Sequence, residues 1–339
     1  MNRILPALWI LLTLAGCQRE TLHHARILQF GTLIDVTLIA EPAVADRAIA
    51  MLERDFAAMQ HDWQVWKPGP LQRLNDAIAA GEPIEPDPSL PPLIAKATAL
   101  ARASNHLFNP AAGRLVALWG FHRDNFGRTT EPAADTIRHL VDARPTMEDL
   151  YYDGTRLRSR NRLVKLDFGG IAKGYALALE ARKLKAMGID DFLLNAGGDL
   201  VAWGKHGQRH WKIGVRRVDG NGALASIEPR NGEAIFTSGD YERYYDSTAG
   251  RRHHIIDPRS GHPARQAHAV TVIHTDPATA DAAATALMIA RPGERLTVAR
   301  RMGVTQFLIV AWDGELLLTP AMRARLTLAP DVRYYRLLE

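Results

Sequence analysis

One cysteine serves the whole of this 339-residue chain, and it stands at position 17, behind an apolar N-terminal stretch. The body of the chain therefore contains no disulfide, no cysteine zinc site and no thiolate nucleophile. Its fold must be held by packing. The material for a core is present, because 47% of the residues are hydrophobic and 23% are charged. That balance excludes an extended disordered chain and a multi-span membrane protein. A formal net charge of +5 is mild at this length, and the basic residues are spread along the chain rather than gathered in a run. Nucleic acid is not an expected partner.

The N-terminus has the order of an export signal. Met1-Asn2-Arg3 supplies one positive charge, and Ile4 to Leu14 form an apolar run that is too short to cross a bilayer, which takes about 20 residues. Leu14-Ala15-Gly16-Cys17 then resembles the bacterial lipobox, in which cleavage before the cysteine leaves it as the lipidated first residue. The expectation is a signal peptide over 1–16, a lipid on Cys17, a polar tether through residue 26 and one domain over 27–339. A protein so built is exported and lipid-anchored to a bacterial membrane, facing the periplasm. The choice between inner and outer membrane stays open, since Gln18 is not the Asp that often retains lipoproteins at the inner membrane.

Beyond the tether, Leu33 to Ala40 alternate as a strand and Ala43 to Gln60 carry apolar residues at helical spacing. Pro68-Gly69-Pro70 breaks the chain, Asp87-Pro88-Ser89 opens a helix through Ala103, and residues 122–135 read as loop. A strand over Leu163 to Asp167 runs through two glycines into a helix from Ile171 to Met187. Short strands follow at Phe192 to Asn195, Leu200 to Trp203, Trp211 to Val215, Ala223 to Glu228 and Glu233 to Thr237, separated by Gly, Asn and Asp. Ala269 to His274 is a further strand, Pro277 to Ala290 a helix capped by Thr275 or Asp276, and residues 307–318 a hairpin around Asp313-Gly314. The pattern implies an α+β fold, with mixed and antiparallel sheets, flanking helices and no internal domain boundary.

Five segments carry chemistry, and each alone also has a plain structural reading. In Asp167-Phe168-Gly169-Gly170-Ile171-Ala172-Lys173, a carboxylate ends a strand, two glycines let backbone approach a ligand, and a lysine sits in a helix's first turn. This suits an anionic phosphate, although a tight β–α connection with an exposed lysine would look the same. No Ser or Thr follows Lys173, so it is not a Walker A loop. Asn195 to Asp199 and Thr237 to Tyr241 are turn-forming stretches. His253-His254 precede Ile255-Ile256-Asp257-Pro258, and either imidazole is a candidate general base or a structural residue. Asp281 and Thr285 lie four apart on a helix, so their oxygens share a face as a partial cage for Mg²⁺, or the Thr bonds back to its own turn.

In this order the segments resemble the FAD:protein FMN transferases of the ApbE family. The resemblance also uses Gly31-Thr32, Phe108-Asn109-Pro110, Gly113 to Val116 and Trp119-Gly120, and it runs from about Gln29 to Leu318. It implies an ApbE-like fold and a Mg²⁺-dependent enzyme with FAD as substrate. The FMN half would pass to a Ser or Thr of an acceptor redox protein, with release of AMP. The resemblance further implies that Phe30, Trp66, Leu107, Phe108, Asn109, Asp167, Lys173 and Ile255 contact FAD. The metal ligands would be Asp281, Thr285 and a backbone oxygen at Gly170, with His254 as the base. Three positions depart from the family pattern: Phe30 replaces a Met, Asn109-Pro110-Ala111 replaces Asp-Pro-Thr, and Ala284 stands where some members have a second Asp. A single-metal site remains. The alternatives are an FAD pyrophosphatase yielding FMN and AMP, and a non-catalytic FAD-binding lipoprotein.

Overall fold

The computed structural model describes residues 21–122, 131–247 and 250–339. Its frame is one sheet of nine strands: β1 (Thr21–Gln29), β2 (Thr32–Ala40), β3 (Asp191–Ala196), β4 (Asp199–Trp203), β5 (Glu233–Gly239), β6 (Ala267–His274), β7 (Gln306–Ala311), β8 (Leu316–Leu318) and β9 (Arg336–Leu337). Their order in space is their order along the chain. Neighbours are antiparallel from β1 to β8, and β9 joins β8 in parallel. Helices enter between strands: α1 (Pro42–Trp63), α2 (Pro70–Ala80), α3 (Leu90–Ala103), α4 (Gly113–Leu118), α5 (Ala134–Asp142) and α6 (Ala172–Ala186) after β2, then α7 (Pro277–Ile289) and α8 (Arg295–Arg301) after β6, and α9 (Pro320–Arg323) after β8.

Successive side chains of a strand face opposite sides, so the sheet buries two cores. Val270 and Val272 join Phe236, Phe307 and Ile309 on the helical side. Ala269 and Ile273 join Ile235, Leu308 and Val310 on the other. That second face is covered by a small antiparallel sheet of Ile213–Arg216, Ala223–Ile227 and Leu326–Leu328. A third cluster, with Trp119, Phe121, Ile137 and Tyr245, seats α4 and α5 against the hairpins after β5. Here the indole N–H of Trp119 donates to the Gly261 carbonyl at 2.6 Å.

The helical layer is built around α7. All its residues except Thr285 are buried, as expected for a helix that is apolar on every side. Asp276 caps it by accepting from the Ala278 amide at 3.1 Å. The many small side chains of α7 let α6 come close. A side chain on Gly174 of α6 would begin 2.4 Å from the Pro277 carbonyl oxygen and 2.8 Å from Asp281 Cβ, so only glycine fits.

Most elements lie where the periodicity puts them, and the exceptions have physical causes. The stretch expected as tether joins the sheet at Thr21. β1 is an edge strand in which only Ile27 is buried, so His23, His24 and Arg26 hide any alternation. Leu163 to Asp167, expected as a strand, is an extended segment with a single bridge, Lys165 to Ala112. Helix α2 begins at the very Pro70 that ends the preceding segment, and α5 begins inside the stretch expected as loop. Residues 1–20, including the signal and Cys17, lie outside the described residues.

Replacing Gly174 by Ala tests the helix contact. Ala gains roughly 1 kcal/mol of helix propensity, but overpacking against a backbone carbonyl costs about 1–3 kcal/mol or more. Gly174→Ala is expected to unfold at lower urea concentration than the wild type. Equal or greater stability would show that the two helices are not in such close contact.

Candidate functional site

The two-glycine segment is tied on both sides. The amides of Lys165 and Asp167 donate to the carbonyls of Ala111 and Pro110 at 3.0 and 2.8 Å, which fixes it beside the Phe108–Asn109 turn. Buried Asn75 of α2 grips the intervening residue, accepting from the Leu166 amide at 2.6 Å and donating to its carbonyl at 3.0 Å. Asp167 then accepts from the Gly169 amide at 2.9 Å and turns the chain into α6. Gly170 is pressed against α7, where a side chain would start 3.1 Å from Thr285 Oγ1. One turn back, Asp281 accepts from the Gly174 amide at 2.9 Å. The α7 carboxylate and hydroxyl therefore lie beside the segment from the glycine turn into α6.

A cleft of about 650 Å³ opens over this contact, and it collects Phe30, Trp66, Leu107, Phe108, Asn109, Asp167, Gly170, Lys173, His254, Ile255, Asp281 and Thr285. Apart from His253, the candidate FAD, metal and base residues within the described chain thus line one space, of a size suited to a cofactor. Phe30 reaches it from the β1–β2 hairpin turn, where Phe30 and Gly31 have φ of 53° and 71°. Positive φ at both central positions is the tight hairpin geometry, and for a phenylalanine it is strained. The turn is held by the Phe30 amide donating to Gln60 Oε1 at 2.7 Å and by a stack on Trp63 at 6.4 Å. Asn109 lines the cleft, but its amide is engaged elsewhere, donating to the Pro145 carbonyl at 2.8 Å and accepting from Ala111 at 3.1 Å. Its side chain shapes the turn.

The electrostatics centre on Lys173. It is ion-paired with Asp199, which in turn accepts from the Thr237 amide at 2.9 Å. Burial works against the Lys173 ammonium, but the carboxylates of Asp199 and Asp281 outweigh it and hold its pKa above the usual lysine value. The carboxylates are less well served. Burial, reinforced by the charge of Asp199, pushes Asp281 up to about 7 despite Lys173. Glu242 has much of its side chain open to the cleft, yet atoms crowd its carboxyl. That desolvation, with Asp199 adding to it and Lys173 opposing, lifts it to about 7. Burial also raises Asp167, against the Gly169 amide and the charges of Arg243 and Lys165.

The two adjacent histidines divide. His253 is buried with Nε2 2.6 Å from the Ala264 carbonyl, a structural contact. His254 faces the cleft and its Nδ1–H donates to the Arg243 carbonyl at 3.3 Å. Burial, then the charge of Arg243, brings His254 down to about 3, so it is neutral at pH 7 with Nε2 free to accept a proton.

Among the described residues no three His, Cys, Asp or Glu side chains gather as a metal cluster. The oxygen donors at hand are the Asp281 carboxylate, the Thr285 hydroxyl, the Ser238 hydroxyl 3.4 Å from Thr285 Oγ1, and the backbone at Gly170. Few protein ligands, all hard oxygens, fit Mg²⁺, which keeps waters and takes substrate phosphate. Ser238, Asp199 and Glu242 were not singled out from the sequence. The first two stood in segments that read as turns, and Glu242 gave no signal.

The sequence profile described as the ApbE family matches residues 30–309. A Rhodobacter capsulatus protein named FAD:protein FMN transferase is 43% identical over 88% of this chain, which spans 57% of that relative's length. A Vibrio cholerae protein of the same name is 29% identical over 92% of this chain and 95% of its own. The crystal structure of the ApbE protein of Thermotoga maritima superposes with a TM-score of 0.82 at 30% identity, over 90% of this chain and 99% of that one. With a profile match across most of its length and the same α+β architecture, the chain belongs to the ApbE family.

Proposed function

We propose that this protein is a Mg²⁺-dependent FAD:protein FMN transferase, moving FMN from FAD to a Ser or Thr hydroxyl of an acceptor protein and releasing AMP. The observation that carries it is the convergence of the α7 pair, Asp281 and Thr285, with the Gly169–Gly170 turn and Lys173 in one aromatic-walled cleft. Binding alone would not call for oxygen donors aimed at the turn where phosphates rest.

The residues divide the work by their chemistry. Phe30, Trp63, Trp66 and Phe108 offer ring surface to the flavin and adenine. Lys173 and the amides opening α6 meet the diphosphate. Asp281, Thr285 and the Gly170 backbone would hold Mg²⁺, which when bound neutralises phosphate charge and polarises the phosphorus under attack. The acceptor hydroxyl attacks the FMN-side phosphorus, the bond to the bridging oxygen breaks, and AMP leaves with that oxygen. His254 Nε2 takes the hydroxyl proton. Its low pKa in the free protein makes it a weak base, and the anionic diphosphate shifts it upward on binding.

Three outcomes test this reading. Asp281→Ala abolishes Mg²⁺-dependent gain of FMN mass on an acceptor protein, and Asp281→Asn, which keeps an acceptor for the Gly174 amide, does the same without unfolding. Undiminished labelling excludes Asp281 as a ligand, and AMP release without acceptor makes the enzyme a pyrophosphatase.

His254→Asn lowers labelling by about 10²- to 10⁴-fold, the usual worth of a general base. It also changes acid stability. The unfolded His254 binds its proton near pH 6.5 and the folded one near 3, so between those values the unfolded state holds more protons and stability falls as pH drops. Urea unfolding of His254→Asn is expected to decline less steeply across that window. Identical slopes would contradict the assignment.

We also propose export and lipidation at Cys17. Among the described residues no helix is long and apolar enough to cross a membrane. Cys17→Ala is expected to lose incorporation of labelled palmitate. Retained label would refute the site.

A further inference from the structure

We propose that the basic cleft at the end of the sheet where the tether enters is a docking surface for anionic phospholipid headgroups, so that the anchored enzyme stands on the membrane with its flavin cleft turned away. This rests on the lipid-anchor reading and adds an orientation to it.

The strand register defines two ends of the sheet. Thr21 pairs with Ala40, Ile39 with Asp191, Phe192 with Trp203, and Ala202 with Glu233, which places the entry of the chain, Asp191 and Trp203 at one end. The Phe30–Gly31 turn and the Gly197–Gly198 turn lie at the other, beside the flavin cleft. The nine residues of β1 separate them by about 30 Å at roughly 3.3 Å per residue.

At the entry end a second cleft, of about 910 Å³, lies between the main sheet and the small sheet. It is lined by five cations, Lys185, Lys205, Lys212, Arg230 and Arg325, against the carboxylates Asp190, Asp191 and Glu228. Two of the cations are spent within the fold. Lys185 pairs with Asp190, and Arg325 makes a two-pronged contact to Glu233 at 2.7 Å. The exposed Lys205, Lys212 and Arg230 take part in none of the ion pairs found among the described residues, although the charge of Arg230 also acts on Glu233. The flavin cleft has the reverse balance, with Asp167, Asp199, Glu242 and Asp281 against Lys173 and Arg243. An anionic surface therefore favours the tether end over the catalytic end. Each basic residue close to such a surface strengthens attachment about fivefold, and the anchor keeps these three within reach of it. An acidic polypeptide would satisfy the same charges, but nothing places one at this end of the molecule, whereas the tether places the bilayer there.

The test uses the mature lipidated protein on vesicles of phosphatidylcholine, with or without phosphatidylglycerol, read by amide hydrogen exchange. Residues 203–212 and 226–231 are expected to gain protection on the phosphatidylglycerol vesicles alone. They should lose it in Lys205→Gln/Lys212→Gln/Arg230→Gln and in about 1 M salt, where the Debye length is near 3 Å. The triple variant should label an acceptor in solution as fast as the wild type, which separates lost docking from lost folding. Equal exchange on both vesicle types overturns the proposal. So does equal protection by soluble polyglutamate, which would make the partner an acidic polypeptide. The anchor itself is read separately, from the lipid mass on Cys17 and recruitment to the neutral vesicles.

Discussion

The structure turns on the hydrogen bond from the Gly174 amide to the Asp281 carboxylate. It forms where α6 and α7 approach so closely that no β-carbon fits, and it joins the helix that bears Lys173 to the helix that bears Asp281. Glycine at 174 sets the distance, and the small residues of α7 let the helix sit buried between α6 and the sheet. Thr285, the one residue of α7 that is not buried, opens on the cleft because the helix has every other side committed to packing. The position of the two α7 side chains is thus a consequence of core packing.

That position creates an electrostatic problem in the free protein. Asp199, Glu242 and Asp281 share one lysine, and two of the three carboxyls are pushed up to about 7. Such crowding costs stability, and a divalent cation beside Asp281 would relieve it. The same excess of carboxylates would repel a dinucleotide diphosphate arriving alone. Metal and substrate are therefore expected to favour each other's binding, which would reconcile a cleft lined with acids with the proposed phosphate ligand.

How much of this was legible in the sequence depended on how local each signal was. The glycine turn at 169–170, the α7 spacing of Asp281 and Thr285, and the His253-His254 pair are short-range patterns, and the fold brings the turn, the α7 pair and His254 to one cleft. Edge strand β1 escaped because its inward positions hold His23, Ala25 and Gln29 beside Ile27, so burial alternates where hydrophobicity does not. The extended segment at Leu163 to Asp167 mimics a strand because its partners are the Asn109–Gly113 turn and a buried Asn75, both remote in sequence. Asn109 lines the cleft, and the hydrogen bonds by which its amide also shapes the turn run partly to Pro145, remote in sequence. The division of labour between His253 and His254, and the membership of Asp199, Glu242 and Ser238, rest on contacts between segments far apart along the chain, which no local pattern encodes.

The central claim is that one cation bridges α7 and the dinucleotide. The most direct measurement is anomalous scattering from crystals grown with FAD and Mn²⁺ in place of Mg²⁺. A single manganese peak is expected, bonded to the side-chain oxygens of Asp281 and Thr285 and to the diphosphate. A bound FAD with its diphosphate away from α7, or manganese held by other residues, would contradict it.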